Sequence, residues 1–261
     1  ACAALSAALN TTLLVLQHID REGPGLLAVL GEERGMNIQI VRVDQGEQLP
    51  DPNECNNTIA LVLGGPMGTN ERTKPKMSWL QRELDWITIW RQQSKPMIGI
   101  CLGAQLLAIA EGGYVKALEV GAPPLSVKEV GFGALHWLKS SSTDDWLHEF
   151  NDSDVVLHWH GDQIKLPDTA TLLGSTLLCP EQIFHINNQA VGIQCHLETD
   201  EQSLNSWIKE DIEFITNAMG KDGPRRLHED AKRFNLSIEK LGRRFFEQVI
   251  DQLIENSFSH Q

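Results

Sequence analysis

Basic residues are scarce in this chain. Lys and Arg number 22 against 35 Asp and Glu, a formal net charge of −13. Nothing here would line a groove with the cations that nucleic-acid phosphates require. The two mild basic clusters, Arg225-Arg226 and Arg243-Arg244, stand beside acids in helix-like sequence and read as solvated faces. The five cysteines, Cys2, Cys55, Cys101, Cys179 and Cys195, are odd in number and contain no CxxC pair. That argues against a disulfide framework or a structural zinc site and for a reducing, cytoplasmic setting. No apolar run approaches the roughly 18 residues of a membrane-spanning helix. Ala1 to Leu9 is small and apolar, lacks a basic n-region and is too short to span. Internal repeats, low-complexity tracts and long linkers are also missing. The expectation is a soluble intracellular protein with neither nucleic-acid nor membrane partners.

The hydrophobic content of 41% over 261 residues suffices for one large core, as one α/β domain or one domain with an appendage. Thr11–Gln17, Asn37–Val43, Thr58–Leu63 and Met97–Ile100 read as strands, with helices at Pro24–Glu33 and Pro75–Gln92 between them. Trp79, Leu80, Leu84, Ile87 and Trp90 recur near helical spacing in the second helix. This alternation predicts a doubly wound, mostly parallel sheet with helices on both faces. From about residue 125 the elements shorten: Leu125–Val130, Ala134–Leu138, Val155–Trp159, Leu172–Ser175, Ile183–Ile186 and Ala190–Gln194 suggest a small antiparallel ribbon and a return to the main sheet. Residues 201–261 read as a helical tail broken at Gly220–Pro224 and packed on the domain formed by residues 1–200. Its Leu241, Phe245, Phe246, Val249 and Leu253 lie at helical spacing, a stripe for packing on the parent domain rather than for docking a partner.

The segment with the most chemistry is Gly99-Ile100-Cys101-Leu102-Gly103-Ala104-Gln105. A cysteine between a strand end and a helix start, with glycines two residues to either side, has the pattern of a nucleophile elbow. The helix N-terminus beside the sulfur favours thiolate and supplies free N–H groups to a developing oxyanion. A cysteine nucleophile also needs a base and a group to orient that base. His196 and Glu198 end an apparent strand two residues apart, and period-two alternation puts both side chains on one side. The loop Leu63-Gly64-Gly65-Pro66-Met67-Gly68 follows a buried strand, so in a parallel sheet it reaches the same carboxyl edge as Cys101.

Together with His158-Trp159-His160-Gly161-Asp162, these segments resemble the class I, cysteine-triad glutamine amidotransferase family, in the right order and over about residues 11–200. In overall texture the chain is similar to stand-alone proteins like the amidotransferase half of GMP synthase, a likeness supported by Glu129-Val130-Gly131-Phe132. The resemblance implies a flavodoxin-like fold with Cys101 as nucleophile, His196 as base and Glu198 as its orienting acid. Backbone N–H groups of Gly65 and Leu102 would form the oxyanion hole. Gln105, Trp159, Gly161, Asp162 and Met67 would contact the substrate. No cofactor is implied. His158 and His160 stand at i and i+2, but other ligands are not evident, and no metal is expected. The last motif usually reads Gln-Phe-His-Pro-Glu and here is Gln194-Cys195-His196-Leu197-Glu198. Loss of the proline removes a φ constraint without disturbing the alternation, and Cys195 places a second thiol beside the base.

The implied reaction cleaves the side-chain amide of glutamine through a γ-glutamyl thioester and releases ammonia. No phosphate-binding glycine loop and no Ser-Gly-Gly-x-Asp-type pyrophosphatase signature follows residue 200. The expectation is therefore a stand-alone protein, with a separate ammonia-using synthase subunit as the partner the resemblance implies. Two alternatives stay open: a γ-glutamyl peptide or conjugate hydrolase on the same triad, and a catalytically weak binding or regulatory protein.

Overall fold

The computed structural model describes residues 10–258, so Cys2 and the apolar stretch Ala1 to Leu9 lie outside the described residues. Strand β1 (Thr12–Gln17) leads through a loop to helix α1 (Gly25–Glu33) and strand β2 (Asn37–Arg42). Strand β3 (Thr58–Val62) follows, then helix α2 (Ser78–Gln92), strand β4 (Met97–Ile100) and helix α3 (Leu102–Ala110). The strands β1, β3 and β4 are near-continuous apolar runs because helices cover both their faces.

The remaining chain adds β5 (Tyr114–Ala117), β6 (Glu119–Val120), β7 (Leu125–Ser126), β8 (Glu129–Trp137), the short α4 (Asp144–Leu147) and β9 (Ser153–His160). After these come β10 (Asp162–Lys165), β11 (Ala170–Ser175), β12 (Ile183–Ile186), β13 (Ala190–Ile193), α5 (Glu201–Glu210), α6 (Ile212–Met219) and α7 (Gly223–Phe258). The main sheet has the order β2-β1-β3-β4-β13-β12-β11-β8-β9 among the described residues. Its first five strands are parallel, and β12, β11, β8 and β9 extend it antiparallel. Small two-stranded ribbons, β10 with β5 and β6 with β7, flank it. The parallel sheet, the return through β13 and the ribbons match the sequence expectation.

Three boundaries differ from it. Pro75–Met77 forms a separate 3-10 turn before α2, since Pro75 fixes the first turn. The strands expected over Leu125–Val130 and Ala134–Leu138 are redrawn, with Leu125–Ser126 standing apart as β7. The rest is one strand, β8, whose eight-pair register with β9 runs from Glu129↔His160 to His136↔Ser153 through Gly131 and Gly133. The break in the tail narrows to Gly220, which ends α6 at φ 80°. Pro224 then falls in the first turn of α7, where a missing N–H costs nothing.

Core residues fill both sides of the sheet. Leu14, Leu16, Val62, Trp90 and Leu106 pack on the α2–α3 side, and Leu13, Val15, Ile98 and Ile193 on the α1–α7 side. On that second side α7 buries Leu241, Phe245, Phe246, Val249 and Leu253 in the same cluster. Gly242 brings the helix backbone against the end of β13, because a Cβ there would stand 2.2 Å from the Leu197 carbonyl oxygen. The C-terminal helix thus packs directly behind the segment that carries His196 and Glu198.

Candidate active site

Cys101 sits between β4 and α3 with φ 49° and ψ −105°. A non-glycine residue takes this left-handed geometry only when its surroundings impose it. The flanking glycines impose it by contact. A Cβ at Gly99 would lie 2.5 Å from the Gly103 carbonyl oxygen, and one at Gly103 would lie 2.0 Å from that of Val62. The Cys101 N–H donates to the Ile193 carbonyl at 2.7 Å, tying the elbow to the neighbouring strand. Leu102 is the first residue of α3, so its N–H has no partner within the helix. A Cβ at Gly65 would stand 3.4 Å from the Leu102 side chain, so the Gly64–Gly65 loop lies against the start of α3.

His196 is buried, and its Nδ1 lies 2.6 Å from Glu198 Oε1. The other carboxylate oxygen accepts the Leu197 N–H at 3.0 Å, so Glu198 is fixed without the proline that the motif usually carries. Burial alone would lower the His196 pKa, but the charge of Glu198 and hydrogen bonds to Cys101 and Glu198 raise it well above the ordinary histidine value. Trp207 packs edge-on to the imidazole at 4.8 Å. Cys195 points into the α1–α7 core, and burial pushes its thiol well up, leaving it neutral and inert.

A cavity of about 360 Å³ opens over the sulfur. Cys101, His196, Gly65, Leu102, Met67, Gln105, Trp159, Gly161 and Asp162 line it together, with Glu198 behind His196. Gln105 Nε2 donates to Gln194 Oε1 at 3.0 Å, while Gln194 Nε2 stands 3.5 Å from Cys101 Sγ. Gln105 is therefore one link in a buried amide chain behind Cys101. Burial raises the Asp162 carboxyl against the pull of His160.

Several members of the site carry no motif. His18 is buried at the end of β1, with Nδ1 3.0 Å from the Gly64 carbonyl and Nε2 2.8 Å from Glu83 Oε1. Both ring nitrogens face oxygens, an arrangement that favours the charged imidazolium. Burial works against that charge, and the charge and hydrogen bond of Glu83 overcome it, so the His18 pKa is raised. The effect is to clamp the Gly64–Gly65 loop. Arg21, Glu22, Lys128, Asp211 and Phe214 also line the cavity. They come from the β1–α1 loop, the β7–β8 connection and the α5–α6 junction, and only tertiary folding assembles them. For Gly64 a signal did exist in the double glycine: a Cβ there would lie 2.4 Å from Glu22 Oε2.

Beside the cavity, Glu129 Oε, His160 Nε2 and Cys179 Sγ all lie within 4.8 Å of one another, a spacing that could hold a metal ion. Glu129 and Cys179 are ligand types that sequence reasoning did not connect with His158 and His160. The Glu129 carboxylate already receives His160 Nε2 at 2.9 Å, Thr176 Oγ1 at 2.8 Å and Gln182 Nε2 at 2.6 Å, which satisfies it without an ion. Burial pushes His158 down to about 4 and the Cys179 thiol up to about 12, so neither carries charge near neutrality.

An open α/β sheet with a strained cysteine between strand and helix, and a histidine–carboxylate pair at the adjacent strand end, has the layout of cysteine-dependent hydrolases and acyl transferases. The glutamine amidotransferase class-I family matches residues 26–212, and the chain belongs to that family. It is 31% identical over 209 residues to the glutamine amidotransferase-like protein YfeJ of Salmonella typhimurium, covering 78% of this chain and 82% of that one. To gamma-glutamyl peptidase 3 of Arabidopsis thaliana it is 25% identical over 184 residues, covering 68% and 69%. A solved glutamine amidotransferase from Thermotoga maritima superposes with a TM-score of 0.78 at 26% identity, covering 94% of this chain and 98% of the other.

Proposed function

We propose that this protein hydrolyses the side-chain amide of glutamine through a γ-glutamyl thioester on Cys101, with His196 as base and Glu198 as its orienting acid. The observation that carries this reading is the convergence of the strained Cys101 elbow and the Glu198-bound His196 on one cavity. His196 Nε2, freed by the Nδ1 bond to Glu198, takes the thiol proton, and the sulfur attacks the amide carbon. The Gly65 and Leu102 N–H groups hold the oxyanion, each worth on the order of 10²–10³ in rate. His196 returns the proton to the leaving nitrogen. Water, deprotonated by His196, then cleaves the thioester to glutamate. Met67, Gln105, Trp159, Gly161 and Asp162 hold the glutamyl head, and residues 201–261 act as an extension of the domain formed by residues 1–200.

The gamma-glutamyl peptidase relative favours a second reading, in which the same triad releases an amine from a γ-glutamyl peptide. Incubating the pure protein with glutamine and with γ-glutamyl dipeptides, then assaying ammonia and glutamate, separates the two. Ammonia from glutamine supports the first reading and dipeptide cleavage the second; neither product, with or without an ammonia-using synthase subunit, contradicts both. Ammonia release only beside such a subunit would identify it as the acceptor.

A further inference from the structure

Glu22 has no task in the triad chemistry, yet it stands within the site. Its side chain is only 10% exposed and lines the cavity over Cys101. Glu22 Oε2, Cys101 Cβ and His196 Cε1 lie 2.4, 3.4 and 3.5 Å from the point where a Gly64 side chain would begin. The carboxylate therefore abuts Gly64, in the loop that precedes the oxyanion donor, near the Cys101 and His196 side chains. Among the described residues no hydrogen bond reaches it. Its closest cation is Arg21 Nε at 3.7 Å, beyond hydrogen-bond range, and the terminal nitrogens of that guanidinium are both held by Asp211 at 2.8 Å. The Glu22 oxygens open on the cavity, so a donor or cation entering there can reach them.

The position says which partner. His196 Cε1 lies between the two ring nitrogens; Nδ1 is committed to Glu198, so Nε2 serves the sulfur and the leaving group. Glu22 lines the same cavity as Cys101 and His196, and its Oε2 and His196 Cε1 both lie within 3.5 Å of one point beside Gly64. We propose that Glu22 is a further catalytic residue, whose carboxylate holds the leaving-group nitrogen while the C–N bond breaks. The proposal rests on the hydrolase reading above. In the tetrahedral adduct the nitrogen is –NH2; it takes the proton from His196 Nε2 and becomes –NH3⁺. The C–N bond then breaks with its electron pair going to nitrogen, ammonia departs, and the oxyanion's lone pair re-forms the thioester carbonyl. Nitrogen is neutral in the amide and cationic only at this stage, so a carboxylate here stabilises the transition state over the ground state. Burial pushes the Glu22 carboxyl up and the charge of Glu198 adds to the rise, while His196, Arg21 and His18 pull it back.

An ester tests this, because its leaving oxygen accepts the same proton and departs as a neutral alcohol. The wild-type protein and Glu22→Gln are compared on glutamine and on the γ-methyl ester of glutamate. The variant is expected to lose about 10–100-fold in kcat/KM on glutamine and to keep ester cleavage within about threefold. The iodoacetamide alkylation rate at Cys101 should be unchanged, which shows that the elbow and triad remain assembled. Glu22→Asp, which keeps the charge, should recover part of the amide-to-ester ratio. Equal losses on both substrates, no loss on glutamine, or an Asp variant no better than Gln would overturn the proposal. Wild-type protein inert toward both substrates would overturn the hydrolase reading itself, and this proposal with it.

Discussion

Cys101 holds a left-handed backbone that costs of order 1–3 kcal/mol, and the contacts of Gly99 and Gly103 enforce it. Cys101→Ala should fold normally and lose at least about 10³-fold in glutamine hydrolysis, measured as ammonia release. Gly103→Ala should fail differently: its Cβ meets backbone 2.0 Å away, so thermal denaturation should show a loss of about 3 kcal/mol or more. The buried His18–Glu83 pair makes a pH prediction. The His18 pKa is raised on folding, so its stabilisation is full below the unfolded value near 6.5 and is lost as pH rises through the folded value. Glu83→Gln should therefore destabilise most near pH 6, by about 3 kcal/mol, and the gap in melting temperature should narrow toward alkaline pH. Cys101 was legible in the sequence because a strand-to-helix turn places it. His196 and Glu198 were found by their spacing, but not as the end of a strand. Strand β13 stops at Ile193, and His196 is held by a single bridge to Leu157 while its Nδ1 meets Glu198. Glu22 and His18 were not legible, since they reach the site from the loop after β1 and only the completed sheet brings that loop beside Cys101.

Elements differ in how far their pattern reveals them. The parallel strands and α2 are bounded by turn residues and show plain periodicity, so their positions follow from the chain. Strand β8 does not, because Gly131 and Gly133 interrupt its apolar pattern and only pairing with β9 keeps it whole. Helix α7 was legible as a stripe, but the residue it lays on the triad segment was not. Gly242 is a bland helical glycine until a Cβ is placed 2.2 Å from the Leu197 carbonyl. Gly242→Ala should push α7 off the end of β13 and shift His196 and Glu198. A misplacement of that kind costs up to about 10²-fold in rate, so kcat/KM on glutamine should fall well beyond what the accompanying drop in melting temperature explains. Phe245→Ala, deeper in the same helix face, should show the reverse balance: a loss of about 3–5 kcal/mol in stability with near-normal kcat in the folded fraction.

For the whole molecule, the parallel half of the sheet places the β3 loop, the Cys101 elbow and the end of β13 at one carboxyl edge, where open α/β sheets bind ligands. The antiparallel half supplies Trp159 to Asp162 as the facing wall of the cavity. Among the described residues no helix is long and apolar enough to cross a membrane. The central claim is that Cys101 carries a γ-glutamyl thioester during turnover. Acid quenching of the protein in the presence of glutamine, followed by mass spectrometry of the peptide containing residue 101, tests it most directly. The account predicts a mass increase of one glutamyl group on Cys101, converted to γ-glutamyl hydroxamate when hydroxylamine replaces water and missing in Cys101→Ala. Glutamine hydrolysis that proceeds without the adduct, or that survives in Cys101→Ala, would contradict it.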